Sequence, residues 1–147
     1  MKSFREESPT HQIALTGLIS KRVFQQQLYA KNILLTPEQV GILNLLLEKD
    51  GVSMQELSDK FSRDNSATTR LIDNLETKKL IKRRNSKSDR RVKEIIITEK
   101  GKQDISRANV VGRNYVDLVI KGISKSDLKA FFKVIKLIRQ NMLSIEE

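Results

Sequence analysis

SMQELSDKFSRDNSATTRLIDNLETKKLIKRRNSKSDRRVKEIIIT, residues 53–98, is the stretch whose reading decides the fold. It opens with Ser53-Met54-Gln55-Glu56, a capping box in which a serine hydroxyl and a glutamate three residues on satisfy the free N–H groups of a helix start. Met54, Leu57 and Phe61 follow at spacings of three and four, one apolar face of a short helix. Ser62-Arg63-Asp64-Asn65 is a polar break rich in capping residues, and a further helix is predicted over residues 66–79. The turn between the two helices is only a few residues long, as a helix-turn-helix requires.

On a helical wheel Ala67, Leu71, Ile72 and Leu75 gather on one side of this second helix, and Ser66, Thr69, Arg70, Asp73 and Thr77 on the other. The first side is core. A solvated helix usually carries Glu–Lys pairs, whereas the start of this one carries Asn65, Ser66, Thr68, Thr69 and Arg70. Short hydroxyls and an arginine suit the floor of a DNA major groove, where Arg chelates guanine and a helix N-terminus attracts phosphate. An ordinary polar face fits the same residues. Asp73 needs a neutralising cation if this side meets DNA; Arg70, one turn earlier, and Arg90 or Arg91 are the candidates.

Residues 82–93 hold seven basic residues, Lys82, Arg83, Arg84, Lys87, Arg90, Arg91 and Lys93, against one acid, Asp89. Charge runs are commonly solvated faces or disordered tails. The flanks argue for a hairpin: residues 80–84 and 92–98, the latter with Val92, Ile95, Ile96 and Ile97, read as strands joined by Asn85-Ser86-Lys87-Ser88-Asp89. A hairpin anchored by apolar strands and tipped with arginine is a wing suited to a minor groove. Its candidate DNA residues are Arg84, Lys87, Asp89, Arg90 and Arg91.

Outward from this stretch, 147 residues make about one domain. Lys and Arg number 28 against 18 Asp and Glu, a net charge of +10 that favours a polyanionic partner. There is no cysteine and only one histidine, His11, so disulfides, thiol sensors and zinc sites drop out and no cofactor is implied. Nothing pairs a nucleophile with a base, which argues against an enzyme. Residues 1–8 lack the apolar core of a signal peptide and no apolar run approaches a membrane span, so a cytoplasmic protein is expected. A peripheral membrane protein is disfavoured because the basic cluster lies on a hairpin, not an amphipathic helix.

Helical spacing predicts a long first helix over residues 10–33, with Ile13, Leu15, Leu18, Ile19, Val23, Phe24 and Leu28 apolar. Thr36-Pro37-Glu38-Gln39 is a complete helix start, with Thr36 as cap, Pro37 at the first position and Gln39 closing the box. The helix it opens, to about residue 49 before Asp50-Gly51, is apolar nearly all round and marks the buried centre. Thr98 caps a helix carrying Ile105, Ala108, Val111, Tyr115, Leu118 and Val119. After Gly122, Ser124-Lys125-Ser126-Asp127 opens a last helix with Leu128, Phe131, Phe132, Ile135, Leu137, Ile138 and Met142. Apolar residues are only 38% and Trp is absent. Such long stripes over so thin a core suggest a dimer; a monomeric antiparallel bundle stays open, and sedimentation separates the two.

Ser53-Met54-Gln55-Glu56-Leu57, Thr69-Arg70-Leu71-Ile72-Asp73-Asn74-Leu75-Glu76, Leu80-Ile81-Lys82-Arg83, Asp89-Arg90-Arg91 and Ile97-Thr98-Glu99-Lys100-Gly101 together resemble the MarR family of bacterial winged-helix regulators. The resemblance covers nearly the whole chain. It implies a mainly α fold with a small β-hairpin wing: a winged helix-turn-helix over residues 36–100, with residues 1–35 and 101–147 forming a helical dimerisation region. It implies that the helix near Ser66 enters the major groove, that Asp89 and Arg91 are the pair that places the wing, and that Arg90 sits at its tip. It further implies a homodimer on double-stranded, pseudo-palindromic DNA, acting as a repressor and released by a small anionic or aromatic effector. One position departs from the family: Lys79 stands where glycine commonly ends the recognition helix, at a cost of roughly 1 kcal/mol if the left-handed conformation is kept. A winged-helix module that binds protein or RNA without ligand control is the alternative, since a fold does not fix a partner.

Overall fold

The computed structural model describes residues 7–49, 51–61 and 65–145, with only the backbone of Asn65. Among these, the chain is mainly helical with one small antiparallel sheet. Its elements are α1 (Pro9–Ala30), α2 (Pro37–Glu48), β1 (Val52–Ser53), α3 (Met54–Phe61), α4 (Asn65–Thr77), β2 (Ile81–Asn85), β3 (Lys93–Ile97), α5 (Glu99–Val119) and α6 (Lys125–Ile145). The predicted ends at Asp50 and at Ser62-Arg63-Asp64 fall outside the described residues.

Helix α1 starts at a cap one turn ahead of the apolar pattern, Ser8 Oγ accepting the His11 N–H at 3.4 Å. It stops at Ala30, short of the predicted residue 33, because Asn32 turns left-handed (φ 55°). The Asn32 N–H then donates to Tyr29 O at 2.9 Å and the Ile33 N–H to Leu28 O at 3.0 Å, which satisfies the carbonyls a helix end leaves open. Helix α2 makes both arms of its capping box: Gln39 N–H to Thr36 Oγ1 at 3.2 Å and Thr36 N–H to Gln39 Oε1 at 3.1 Å. The buried Gln39 amide also donates to Asn74 Oδ1 in α4 at 2.7 Å. One side chain thus starts one helix and holds another.

Strand β1 was not legible in the sequence, two residues being too short for any periodicity. It pairs with β3, Val52 opposite Ile95 and Ser53 opposite Glu94. Ser53 also caps α3, accepting the Glu56 N–H at 3.2 Å, while the Glu56 carboxylate takes Lys49 Nζ at 2.7 Å. The sheet order is β1-β3-β2, and β2 faces β3 with Ile81 opposite Ile97 and Arg84 opposite Glu94. Buried Ile81 and Ile95 carry the wing into a core formed with Leu28, Ile42, Leu43, Leu57, Ile72, Leu75 and Ile105. All of this lies in the compact unit of residues 1–115.

Within that unit, α5 is docked by Ile105 and Ala108 and by two half-buried amides: Asn44 Nδ2 donates to Asn109 Oδ1 at 3.0 Å, and Asn109 Nδ2 returns a bond to Asn44 Oδ1 at 2.8 Å. Tyr115 stacks on Phe24 with centroids 5.3 Å apart and shares a hydrogen bond with Ser20. Residues 116–147 form a second unit. Its helix α6 begins where predicted, Ser124 Oγ accepting the Asp127 N–H at 3.1 Å, and contains no buried residue. Among the described residues no helix is long and apolar enough to cross a membrane.

Helix α4 ends at Thr77 through a residue in the left-handed region, Lys79, at φ 63°. The Lys79 N–H donates to Glu76 O at 2.8 Å and the Leu80 N–H to Leu75 O at 3.0 Å, the double closure that glycine usually permits. The lysine therefore holds the left-handed geometry and carries its strain. Lys79→Gly should raise unfolding free energy by up to about 1 kcal/mol, reduced by glycine's greater freedom in the unfolded chain. A denaturation midpoint that falls would contradict a strained Lys79. Ser58 Oγ is buried with no hydrogen-bond partner among the described residues. Ser58→Ala should stabilise by about 1 kcal/mol, since an unsatisfied buried hydroxyl costs about that much or more; calorimetry showing a loss would point to a bond this geometry lacks.

Candidate nucleic-acid interface

Helix α4 presents Ser66 and Arg70 exposed and Thr69 half-buried, with Asp73 and Thr77 further along the same side. The Asn65 side chain lies outside the described residues. Thr68 corrects the sequence expectation: it is fully buried. It precedes Leu71, Ile72 and Leu75 by three, four and seven residues, which places it on the core stripe. Residue type suggested a groove contact where helical position dictated burial. The candidate residues left at the surface of α4 among the described side chains are therefore Ser66, Thr69 and Arg70.

Asp73 is paired, but not with Arg70, Arg90 or Arg91. Its partner is Arg83 of β2, whose Nη2 lies 2.7 Å from Asp73 Oδ1 and whose Nη1 donates to Glu76 Oε2. Strand β2 leaves the helix at Leu80 and runs back beside it, so residue 83 comes level with residues 73 and 76. The wing tip lies several residues beyond, at about 3.3 Å each. The signal available in the sequence was the Asp73/Glu76 pair at three-residue spacing, facing a strand that returns along the helix.

Of the predicted wing residues, Arg84 is held by the protein itself. Its Nε donates to Glu94 Oε2, directly across the hairpin, at 3.0 Å, and both side chains are largely buried, 26% and 20% exposed. The pair packs on Gly51, at φ 91°, where a Cβ would meet Glu94 Oε2 at 2.6 Å and Arg84 Nη2 at 2.9 Å. Arg84 braces the hairpin one register pair before its loop. Lys87, Asp89, Arg90 and Arg91 are exposed at the tip. There Asp89 Oδ1 accepts the Arg91 backbone N–H at 2.9 Å, and the Val92 N–H donates to Asp89 O at 3.0 Å. Asp89 thus shapes the tip through the main chain, and Arg90 and Arg91 follow it on this hydrogen-bonded turn. Below it, buried Ser86 accepts the Ser88 N–H at 3.3 Å.

Beside α4 lies an open groove of about 730 Å³, lined among others by Tyr29, Leu34, Glu38, Phe61, Arg70, Leu71 and Lys78. Burial alone would raise the Glu38 carboxyl. Hydrogen bonds from Lys21, its own backbone N–H and Thr36 outweigh that and hold it below its ordinary value. Among the described residues no group of three His, Cys, Asp or Glu side chains converges to hold a metal.

Comparison with known proteins bears on this arrangement. The MarR family description matches residues 35–93. The HTH-type transcriptional regulator MhqR of Bacillus subtilis (strain 168) is 30% identical over 110 residues, 73% of this chain and 74% of that protein. Among solved structures, the transcriptional repressor CouR bound to a 23-mer DNA duplex superposes with a TM-score of 0.83 at 22% identity, covering 95% of this chain and 98% of that one. BpsR of Bordetella bronchiseptica, whose DNA binding is regulated by 6-hydroxynicotinic acid, gives a TM-score of 0.83 at 17% identity, over 95% and 97%. At such identities the two structures show the fold alone. With the family match and the MhqR relationship added to that fold, the chain belongs to the MarR family: it is a DNA-binding winged helix-turn-helix transcriptional regulator and not an enzyme.

Proposed function

We propose that this regulator is a homodimeric, cytoplasmic repressor that lays α4 in the major groove of each half of a pseudo-palindromic operator, with the wing tip in the adjacent minor groove. The observation that carries the reading is the juxtaposition of Ser66, Thr69 and Arg70 on α4 with a hairpin whose ordered tip bears Lys87, Arg90 and Arg91. Short donors and one arginine read base edges, and arginine suits the negative potential of a narrow minor groove. The dimer reading is supported by apolar side chains left open on the terminal helices: Leu18 of α1 is 69% exposed, Phe131 and Phe132 of α6 57% and 64%. Large apolar side chains exposed together, as Phe131 and Phe132 are with ring centroids 5.7 Å apart, suit an association surface. CouR on its DNA duplex supports the DNA mode by analogy of fold.

Release by a small anionic or aromatic effector is the final part of the proposal. BpsR, regulated by 6-hydroxynicotinic acid, supports the ligand class. The groove beside α4 offers Tyr29 and Phe61 rings with Arg70 and Lys78 cations, a lining suited to an aromatic acid. A ligand there shifts the regulator only by binding its two states unequally.

A labelled duplex selected by the protein from a random-sequence pool provides the test. Arg70→Ala should cost about 1–3 kcal/mol in binding and relax sequence preference. If Arg90 meets a phosphate as well as the groove, Arg90→Ala should lower the log-log salt slope by about 0.9. Arg84→Ala should leave that slope unchanged and lower the melting temperature. Affinity indifferent to both Arg70 and Arg90 would overturn the assignment, and sedimentation at the mass of one chain would overturn the dimer.

A further inference from the structure

Two carboxylates at three-residue spacing on a helix that faces DNA are a liability, because each would be repelled by the phosphates. Asp73 and Glu76 stand in that position on α4, and a single guanidinium answers both. Arg83 belongs to the wing, as the central residue of β2 with Ile95 opposite it in β3. Its head belongs to the helix. We propose that Arg83 is a positioning residue, acting on DNA through Asp73 and Glu76 by cancelling their charge and tying the wing to α4, without contacting a phosphate itself.

The geometry supports this division of labour. Both terminal nitrogens of the planar fork are engaged by carboxylates, one at 2.7 Å, and the Arg83 side chain is only 33% exposed. Its neighbour in the strand, Arg84, is held by Glu94. Exposed ion pairs add little to folding in water, so the clamp's value should appear when DNA covers it and water is displaced. A lysine, with one compact charge, does not reproduce a fork that spans two carboxylates. The inference rests on the assignment of α4 and the wing to DNA.

The test is a double-mutant cycle on the full-length protein, using the labelled duplex selected from a random-sequence pool. Arg83→Ala should weaken binding by about tenfold or more in the wild-type background, and by less than about twofold when Asp73→Asn and Glu76→Gln are already present. Arg83→Lys should fall between, and the salt slope should stay at the wild-type value in all of them. An equal loss in both backgrounds, with the slope reduced by about 0.9, would instead make Arg83 a phosphate contact. No loss in either background would show the clamp to be idle. Should Arg83→Ala fail to fold, Arg83→Lys carries the same cycle. Arg70→Ala is the control for the underlying assignment: it should weaken binding in both backgrounds, and its failure to do so would implicate the DNA face and not the clamp.

Discussion

The carbonyl oxygen of Leu80 is the point on which the DNA-binding unit turns. It accepts the Thr98 N–H at 3.0 Å and the Thr98 hydroxyl at 3.0 Å, and it lies where a Cβ on Gly101 would be, 2.1 Å away. Only glycine permits that approach. The same Thr98 Oγ1 accepts the Gly101 N–H at 3.0 Å and so caps α5. Helix α4, both wing strands and α5 therefore begin or end at one knot of backbone. Lys100 Nζ adds a bond to Lys78 O at 2.8 Å beside it. None of the four elements moves without straining the others, so the angle between helix and wing is set by main-chain geometry, and side chains adjust it.

Much of this was legible because helix starts are local. Thr36, Ser53, Thr98 and Ser124 each cap by bonding three residues ahead, and a spacing of three survives in a bare sequence. The hairpin was legible for a similar reason, its β-branched strand standing next to a turn-forming loop. What remained hidden depended on pairing between distant residues. Strand β1 exists only because Val52 meets Ile95. Of the basic residues from 82 to 93, Arg83 and Arg84 are engaged by the protein's own carboxylates, and only the strand register reveals which ones. Thr68 was misjudged for a different reason: its polarity outweighed its place on the core stripe.

The charge of the wing thus has two uses. Its lower arginines hold the hairpin to the helix and to the opposite strand, whereas Lys87, Arg90 and Arg91 remain exposed at the tip. A count of basic residues overstates the charge offered to a partner. It also conceals that acids orient the cations, Glu94 within the wing and Asp73 and Glu76 on α4.

The mutual bond between Asn44 and Asn109 carries a consequence for inheritance. Two amides that exchange a donor and an acceptor have no tolerable half: if either became Leu, the other would keep a partly buried amide unsatisfied, at about 1–3 kcal/mol. Exchange of both for apolar residues would be far cheaper. Descendants of this chain should therefore retain the two asparagines or lose them together, so that a seam between α2 and α5 is recorded as a linked pair of positions 65 residues apart.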